Sequence, residues 1–420
     1  MIRFTTFVLP AAASLFITHA ALAGPTPQDA PEPPAVQSDT SAEHQYLTGD
    51  WFGLRRGLED RGIEIGINGI ADWSHNFRGG LDTERSVFRY LLDLGISIDT
   101  EALLKWKGGT FFILFQHTDG DLGEELAGDW QWTSWIDSEP RTQLSELWYE
   151  QWLLDERLRI KVGKIDANYE FGLAENLDGF IHGSLGYLTN PIMLPTYPDP
   201  ATGFNIFAYP VEWFYAGFGL YDGALQEGVP TGKRGPSTFF GSPADLFLIS
   251  EAGVRWGLSD DGRPGRLALG VWHHTGTFER FAGGTENGST GWYVFLDQAL
   301  WRENPGTEDD EQGINMFLHY GWSDPDITEI EHHIGGGLTW RGAIPGRDDD
   351  VIGLGASLVT FSDEPGADFD DDYELNIETF YKIQLTPYLG VTFDLQHISN
   401  PGGAGLRDAL MGTLRLEVAF

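Results

Sequence analysis

The sequence offers many side chains that could act as acids or bases, because 63 of its 420 residues are Asp or Glu. Glu146 and Glu150 form a carboxylate pair of the type that glycoside hydrolases use. In so acidic a chain, however, such pairs arise without any catalytic purpose. The sequence contains no G-x-S-x-G segment to present a serine nucleophile, as an esterase or lipase would need. We therefore expect no catalytic residues and no enzyme activity.

Metal ligands are also common but are poorly arranged for chelation. The histidines of each adjacent pair point to opposite faces of a strand and cannot bind one metal together; the pairs are His273-His274 and His332-His333. Two acidic runs, Glu308 to Glu311 and Asp348 to Asp350, could attract calcium, but neither has the glycine and ligand spacing of an EF-hand loop. We expect both runs to be solvated turns, and we predict no metal site and no cofactor.

The elements that carry these side chains are predicted to be β-strands. In the two clearest, Arg85 to Asp99 and Tyr373 to Leu385, apolar and polar residues alternate, as in a strand with one apolar face. The same pattern marks fourteen other segments, near residues 62–75, 109–117, 143–153, 157–166, 203–209, 212–221, 245–256, 265–275, 291–301, 313–322, 328–340, 350–361, 388–398 and 408–420. Nearly all are long enough for the roughly 9 to 11 residues that a tilted strand needs to cross a bilayer. An even number of strands is typical of bacterial barrels.

The N-terminal residues and the composition indicate export. Residues 1–23 contain an early cation, an apolar stretch and Ala21-Leu22-Ala23, the small-residue pattern of a signal peptidase site. Residues 24–45 are rich in Pro and Ser without apolar periodicity, and we interpret them as a disordered linker. The chain has no cysteine and a formal net charge of −37. These values exclude disulfide bonds and argue against nucleic acid or anionic lipid as a partner.

A short amphipathic helix is predicted before the first strand, over residues 46–62. Trp51, Leu54 and Leu58 form its apolar stripe, and Gly62 can end it in a left-handed conformation. Because a narrow apolar stripe needs a surface to cover it, we expect the helix to pack inside or across the periplasmic mouth of a barrel. The barrel domain itself is predicted to occupy residues 63–420.

The predicted connections tend to alternate between long and short, with less regularity toward the C-terminus. Outer-membrane barrels have this asymmetry, with long loops outside and short turns in the periplasm. The longest connection, Ala167 to Thr202, is expected to fold into the lumen and form the constriction. Three prolines between residues 195 and 200 stiffen it, so that Tyr197 and Asp199 would offer an aromatic face and acceptor oxygens to a solute. The alternative is a stiff surface loop without solute contact.

The inward-facing positions of several strands carry groups suited to a water-filled lumen. A solute there must exchange hydrogen bonds with water for wall hydrogen bonds of similar strength, without a deep trap. The candidate channel-lining residues are Arg89, Asp93, Glu146, Trp148, Glu150, Lys161, Lys164, Asp166, Tyr197, Asp199, Glu378 and Lys382. Arg159, Glu251 and Arg255 share the inward orientation. The alternative is that these residues form ion pairs that hold the wall and touch no solute.

The chain closes with TLRLEVAF, Thr413 to Phe420, in which alternate residues are apolar. A strand that runs to the last residue favours a closed sheet without edges. We expect it to pair with the first strand near Ile63 to Ile67, with Arg415 and Glu417 facing the lumen and the apolar residues facing lipid.

Five segments, in this order, resemble the carbohydrate-selective porins, the OprB-type family of Gram-negative bacteria. They are YLTGDWFGLRRGLEDRGIEI, KVGKIDANYEF, LPTYPDPATGF with FYAGFGLYDG after it, ETFYKIQLTPYLGVTFDLQHISNPGG and the final LRLEVAF. The resemblance extends from about residue 46 to residue 420, with looser matches near 290–301 and 313–322. It implies an all-β fold, a transmembrane antiparallel β-barrel of about sixteen strands in the outer membrane, through which monosaccharides such as glucose diffuse passively into the periplasm.

The implied partners are small sugars, outer-membrane lipid and the barrel-insertion machinery, which would recognise the terminal aromatic residue Phe420. The chain would act as a monomer or as a homo-oligomer. Two other functions stay open at this point. One is an outer-membrane barrel enzyme of the lipase or esterase type, and the other is a secreted β-protein that binds glycans.

Overall fold

The computed structural model describes residues 45–185, 187–191, 193–241, 244–257, 263–305 and 311–420. The predicted signal peptide and all but the last residue of the predicted linker lie outside these ranges, as does most of the acidic run Glu308 to Glu311. Within the described residues, sixteen strands form one closed antiparallel barrel. Each strand pairs with its neighbours in sequence, and the last strand pairs with the first. The predicted fold class is therefore confirmed.

The strands are β1 (Ile63–Arg78), β2 (Ser86–Asp99), β3 (Gly109–Gly120), β4 (Arg141–Leu153), β5 (Leu158–Ile165), β6 (Ala201–Val211), β7 (Phe214–Asp222), β8 (Leu246–Trp256), β9 (Gly265–Glu279), β10 (Thr285–Arg302), β11 (Gly313–Ser323), β12 (Ile330–Arg341), β13 (Val351–Phe361), β14 (Tyr373–Thr386), β15 (Leu389–Ser399) and β16 (Ala409–Ala419). Three short helices are α1 (Leu54–Glu59), α2 (Thr100–Leu104) and α3 (Glu124–Ala127). Each of the sixteen predicted segments coincides with one strand. Of the helices in the described ranges, none has the length and apolar character to cross a bilayer.

Apolar and polar side chains are sorted between the two faces of the barrel in the opposite sense to a soluble protein. Leu269, Leu354 and Phe393 are more than half exposed on the outer face. Glu378 and Gln396 on the inner face are fully buried. Side chains alternate along a strand, so each strand supplies both surfaces at once. Such a wall fits lipid outside and polar groups inside.

The closing pair of strands lies further along β1 than the sequence predicted. The register runs from Asn68 opposite Ala419 to Arg78 opposite Leu410. Only the terminal Phe420 reaches the expected segment, where its N–H donates to Ile67 O at 2.8 Å. The expectation of pairing near Ile63 to Ile67 was wrong because β1 is longer than β16. The first residues of β1 therefore pair with β2 alone.

The N-terminal helix α1 is present, and Gly62 has the expected left-handed φ of +77°. Its predicted packing was wrong, since Leu54 is 57% exposed while Arg55 is buried. Arg55 donates hydrogen bonds to Ile65 O at 2.9 Å and to Phe420 O at 2.6 Å. The charged side chain, rather than the apolar stripe, attaches the helix to the ends of the first and last strands.

Long and short connections are sorted between the two ends of the barrel. The connections 79–85, 121–140, 166–200 and 223–245 emerge at one end, which we call the long-loop end. The connections 154–157, 212–213 and 387–388 lie at the other, the short-turn end, together with α1 and Phe420. The predicted asymmetry is clear in the first half of the chain and weaker afterwards, where 303–312 and 342–350 lengthen the short-turn side.

Candidate functional site in the barrel lumen

The connection between β5 and β6, residues 166–200, folds into the barrel and crosses its lumen. The backbone N–H of Gly172 donates to Glu251 of β8 at 3.0 Å, and that of Glu175 donates to Asp297 of β10 at 2.8 Å. We call this segment the β5–β6 loop. Its backbone groups are held by carboxylates of the barrel wall, so the loop has a fixed path inside the barrel.

The β5–β6 loop also reaches the far wall. The N–H groups of Ile181 and His182 donate to the two carboxylate oxygens of Glu378 on β14, at 2.6 and 3.2 Å. Ser323 of β11 donates to Asn190 O at 2.6 Å. Hydrogen bonds to a charged acceptor are among the stronger ones in proteins. Glu378 is therefore an anchor for the loop.

A second segment, the β3–β4 loop of residues 121–140, also lies inside the barrel. The N–H groups of Trp130 and Gln131 donate to the carboxylate of Glu374 at 2.7 and 3.0 Å. Gln396 of β15 donates to Thr133 O at 2.8 Å. Sequence reasoning did not assign this loop to the lumen. Its run of tryptophans, at residues 130, 132 and 135, was the available signal, because a surface loop rarely needs several large apolar rings.

The two inward loops bind each other. Trp135 N–H donates to Ile181 O, and Gly183 N–H donates to Trp132 O, both at 3.0 Å. Ser184 donates to Gln131 at 2.6 Å. Together the loops fill much of the lumen on the long-loop side, where their side chains are almost completely buried.

The structure places eleven of the twelve predicted channel-lining residues inside the barrel, in two different environments. The prediction for Lys164 was wrong, because the register sets it opposite the outward-facing Leu147. Most are buried between the wall and the loops, namely Arg89, Asp93, Glu146, Trp148, Lys161, Asp166, Tyr197, Asp199 and Glu378. Glu150 and Lys382 keep partial exposure. Tyr197 and Asp199 face protein partners, since Tyr197 donates to Ile136 O at 3.3 Å and Asp199 pairs with Arg141 at 3.0 Å. Burial raises the pKa of Asp166, at the start of the loop, to about 7.

A set of ion pairs lies near the short-turn ends of the strands, spread around the wall from β4 to β16. We call it the charged ring. It contains six cations, Arg159, Lys161, Arg255, Arg266, Arg341 and Lys382, and seven carboxylates, Glu150, Glu170, Glu175, Asp178, Asp297, Glu311 and Glu417. The β5–β6 loop supplies three of the carboxylates, the connection between β10 and β11 supplies the exposed Glu311, and the strands supply every other member.

The first cluster of the charged ring joins β4 and β5 to the β5–β6 loop. Lys161 Nζ lies 2.6 Å from Glu170 Oε1 and 3.2 Å from Glu150 Oε2. Arg159 pairs with the same two carboxylates. Burial by itself would raise the pKa of Glu170, but the two cations outweigh it and hold that pKa below its usual value. Glu170 is therefore charged at neutral pH and fixes the loop to the wall.

The remaining two clusters are more open. Glu175 lies 2.6 Å from Arg255 and 3.2 Å from Arg266. Asp178 pairs with Arg341, and Lys382 Nζ lies 3.3 Å from Asp178 and 3.2 Å from Glu417; these four side chains are 18 to 34% exposed. Although burial opposes it, Lys382 and Arg341 together lower the pKa of Asp178. These ion pairs face the water-accessible lumen.

Aromatic rings lie beside the charged ring on neighbouring strands. The ring centroids of Trp152 and Tyr209 are 5.5 Å apart, and those of Tyr209 and Tyr215 are 6.2 Å apart. The guanidinium of Arg255 lies 5.6 Å from the Tyr215 ring. Trp152 and Tyr209 are half-buried, so each keeps part of its surface open. Of the ring and its aromatic neighbours, the sequence identified Glu150, Lys161 and Lys382 as candidate lining residues.

The loop members of the charged ring, together with Arg266, Asp297 and Arg341, were missed by sequence reasoning. A single carboxylate in a loop of an acidic chain carries no signal of its partner. Among the described residues, no group of three His, Asp or Glu side chains is placed to hold a metal ion.

A closed sixteen-stranded barrel with an apolar outer face, a charged lumen and inward-folded loops defines a porin of the bacterial outer membrane. The family model described as "Carbohydrate-selective porin, OprB family" matches residues 88–420. The chain belongs to this family, as its sequence motifs suggested. Membership implies a channel in the outer membrane that carries carbohydrates, rather than an enzyme.

Relatives and solved structures agree with this assignment. The chain is 23% identical to Porin B of Pseudomonas aeruginosa, over 90% of this chain and 92% of that protein. It is 22% identical to the putative porin QuiX of Acinetobacter baylyi, over 90% of this chain and 94% of that protein. The high-pH structure of Pseudomonas putida OprB covers 91% of this chain and all of its own, with a TM-score of 0.79 and 19% identity. The low-pH structure of the same protein covers 90% of this chain and 99% of its own, with a TM-score of 0.61 and 18% identity.

Proposed function

We propose that the protein is a passive channel for small neutral sugars, such as glucose and other monosaccharides, and that the charged ring is the surface they contact. The observation that carries the proposal is the balance of charge in the ring. Six cations face seven carboxylates, one of them the exposed Glu311, and each is paired with at least one partner of opposite sign. The ring therefore presents many hydrogen-bonding groups with little net charge.

Such a surface suits a neutral polyhydroxy solute. Each sugar hydroxyl is both a donor and an acceptor, so it can bond a carboxylate and a guanidinium or ammonium of the same ion pair. Because the ions already neutralise each other, a sugar gains only modest binding from them. Fast passage requires binding of this kind, strong enough to admit the solute and weak enough to release it.

The aromatic rings add a contact for the less polar face of the sugar. Trp152 and Tyr209 offer partly open ring surfaces next to Glu150, to whose Oε1 Trp152 donates at 3.0 Å. A polar group beside an apolar surface is the usual composition of a small-molecule site. We propose Glu150, Trp152, Tyr209 and Lys382 as the residues that line the pathway at this level, with the buried Lys161 as the ion-pair partner of Glu150 beside it. Lys164, whose Nζ bonds Leu144 O and Gly232 O, and the buried candidates act as supports for the loops and wall.

Liposome swelling tests the proposal directly. We expect glucose to enter vesicles that contain the protein faster than gluconate, which is similar in size but charged, and faster than maltose, which is larger. Trp152→Ala should slow glucose, while the outward-facing control Trp292→Ala should not. Entry of gluconate at or above the rate of glucose would contradict the role of a charge-balanced ring. Failure of all three solutes to enter would contradict the channel itself.

We also propose that residues 1–23 are removed during export, that residues 24–45 link the cleavage site to the barrel, and that Phe420 directs insertion. Its position supports the last point, because Phe420 ends a strand that is paired on both sides. N-terminal sequencing of protein from outer-membrane fractions checks the cleavage, and a start before residue 24 would contradict it. Deletion of Phe420 should reduce the amount of folded barrel in the membrane, and unchanged yield would contradict its role in insertion.

A further inference from the structure

A cleft of about 400 Å³ lies on the rim of the barrel at the long-loop end, lined by Arg78, Arg407 and Asp408. We call it the rim cleft. Its two walls are the end of β1 and the connection between β15 and β16. Gly80 N–H donates to Arg407 O at 2.9 Å, which ties the walls together. Gly79 has φ +67°, and a Cβ there would lie 2.0 Å from Asp408 O, so this close approach requires glycine.

The rim cleft faces the membrane side of the wall. The register shifts between Asn76 and Arg78, and this shift sets Arg78 opposite Leu410. Leu410 lies in turn opposite His397 of β15. Asn76 is buried inside, whereas Leu410 belongs to the outward register of β16 that includes the exposed Leu414. The bulge therefore turns Arg78 from the lumen to the outer surface.

The arginines of the rim cleft form no ion pair with any described residue, in contrast to Arg85 and Arg280 at the same end of the barrel. Arg85 pairs with Asp82 and Glu125, and Arg280 pairs with Glu286 and Asp326. In the parts of the chain that the structure describes, the exposed arginines at 78 and 407 form no ion pair.

The carboxylate of the rim cleft has its own partner. Asp408 lies 3.7 Å from His397 Nε2 rather than against either arginine. Two guanidinium groups and one carboxylate therefore line the cleft, a formal excess of one positive charge in a chain of formal charge −37. The negative charge of the rest of the molecule repels anions. An anion would therefore bind only where local positive charge outweighs that repulsion, as in the rim cleft.

Guanidinium groups bind phosphate with two parallel hydrogen bonds, and basic pockets beside a membrane bind phosphorylated head groups. Apolar side chains continue down the outer wall from the rim cleft, with Phe77 59% exposed and Leu414 38% exposed. An acyl chain could lie along them while its head group stays at the rim. We propose that the rim cleft binds a phosphate group of a lipid in the outer leaflet.

The test measures binding of lipid A to the purified barrel in detergent by native mass spectrometry. The probes are diphosphorylated lipid A, its dephosphorylated form and inorganic phosphate. We expect wild-type protein to retain the phosphorylated lipid, and the double variant R78Q/R407Q to bind it at least about tenfold more weakly, the value of one charge-assisted hydrogen bond. R78K/R407K should restore part of the binding, because it keeps the charges but loses the bidentate geometry.

The matched control is R85Q/R280Q, which removes the same charge from two paired arginines at the same end of the barrel. It should bind lipid A as the wild type does, and both double variants should keep wild-type glucose uptake, since neither touches the charged ring. Equal losses in the two double variants would overturn the proposal. Equal binding of dephosphorylated lipid would also overturn it, as would displacement of the lipid by low concentrations of inorganic phosphate. If R78Q/R407Q fails to fold, the comparison of the probes on wild-type protein still decides.

Discussion

The ion pairs in the two halves of the lumen differ in how far their side chains are buried. In the long-loop half, the Asp72–Arg415 and Arg141–Asp199 pairs have side chains no more than 4% exposed. In the short-turn half, the Asp178–Arg341 and Lys382–Glu417 pairs are 18 to 34% exposed. The residue types are the same, and what differs is how far the inward loops cover them. The long-loop pairs hold loops, and the short-turn pairs of Asp178 and Glu417 are open to water, whereas the Glu170 pairs of the same ring are covered and hold the β5–β6 loop.

This difference separates a structural role from a transport role. A buried ion pair is costly to break, because the partner that remains is left as an uncompensated charge. A partly exposed pair contributes little to stability and can trade one hydrogen bond for another with a passing solute. The account therefore expects variants in the long-loop half to change loop order, and variants in the charged ring to change selectivity.

The largest effect should follow removal of the Glu378 anchor. Glu378→Ala leaves the N–H groups of Ile181 and His182 without their acceptor. Each buried N–H that is left without an acceptor costs about 1 to 3 kcal/mol, so local opening should become at least about tenfold more frequent. Hydrogen exchange of a peptide over residues 178–185 measures the opening, and single-channel conductance should rise and become noisier.

Glu303→Ala is the matched control for this variant, because its carboxylate is exposed outside the lumen. It should leave both exchange and conductance unchanged. Unaltered exchange at Ile181 in the Glu378 variant would show that the loop is held by something other than this carboxylate.

A change of intermediate size in the stability of the β5–β6 loop is expected when the pH is lowered. Burial lowers the pKa of His182, on the β5–β6 loop, to about 3. When the loop opens, His182 regains its usual pKa near 6.5 and takes up a proton below that value, while the packed form does not. The contribution of His182 to the stability of the packed loop is therefore complete above pH 6.5 and falls as the pH drops toward 3, by about 2 kcal/mol at pH 5, while the raised pKa of Asp166 acts in the opposite sense.

Exchange of the same peptide, compared at pH 7.5 and pH 5 after correction for intrinsic rates, measures this loss. Ser184 lies 3.3 Å from the ring of His182, and Ser357 links Ser184 to His333 on the wall. The variant His182→Asn should reduce the pH dependence. An identical change in protection between the two pH values in the wild type and in His182→Asn would contradict burial of a neutral His182.

The smallest effect belongs to the charged ring. Lys161→Gln leaves Glu150 and Glu170 with Arg159 as their remaining partner, so the local charge becomes negative. In water, two unit charges 4 Å apart interact with an energy of about 1 kcal/mol. The preference for cations over anions should therefore change by no more than about fivefold. Reversal potentials in a salt gradient measure it, with the exposed Lys105→Gln as control. A shift toward anions, or an equal shift in the control, would contradict the proposed position of Lys161 beside the pathway.

The strands and their faces could be predicted from the sequence because both depend on local alternation. Arg89 and Asp93 lie inside, and Leu414 and Leu416 outside, as the period of two requires. The path of the β5–β6 loop could not be predicted in the same way. Its contact with Glu378 joins residues 197 positions apart, and no local pattern marks such a pair. The same reason hid the β3–β4 loop, whose anchor Glu374 lies 243 positions from Gln131.

For the helix α1, the local sequence pattern itself gave a wrong prediction. Its apolar stripe of Trp51, Leu54 and Leu58 was read as a buried face, yet the buried residue is Arg55. Arg55 satisfies carbonyl groups at the ends of β1 and β16 and stacks on Tyr46, with its guanidinium 3.7 Å from the ring centroid. The periodicity of apolar residues reports hydrophobicity alone, so it cannot predict the hydrogen bonds of a charged side chain such as Arg55.

Thiol accessibility tests the central claim most directly, because the chain has no cysteine of its own. Glu150→Cys places a single thiol in the charged ring, and Ser357→Cys places one at a fully buried position of the long-loop half. During single-channel recording, a charged thiol reagent should reduce the current through the Glu150 variant and leave the Ser357 variant unchanged. Glucose should slow the modification at residue 150. Modification at residue 357 without modification at residue 150, or no protection by glucose, would contradict the account.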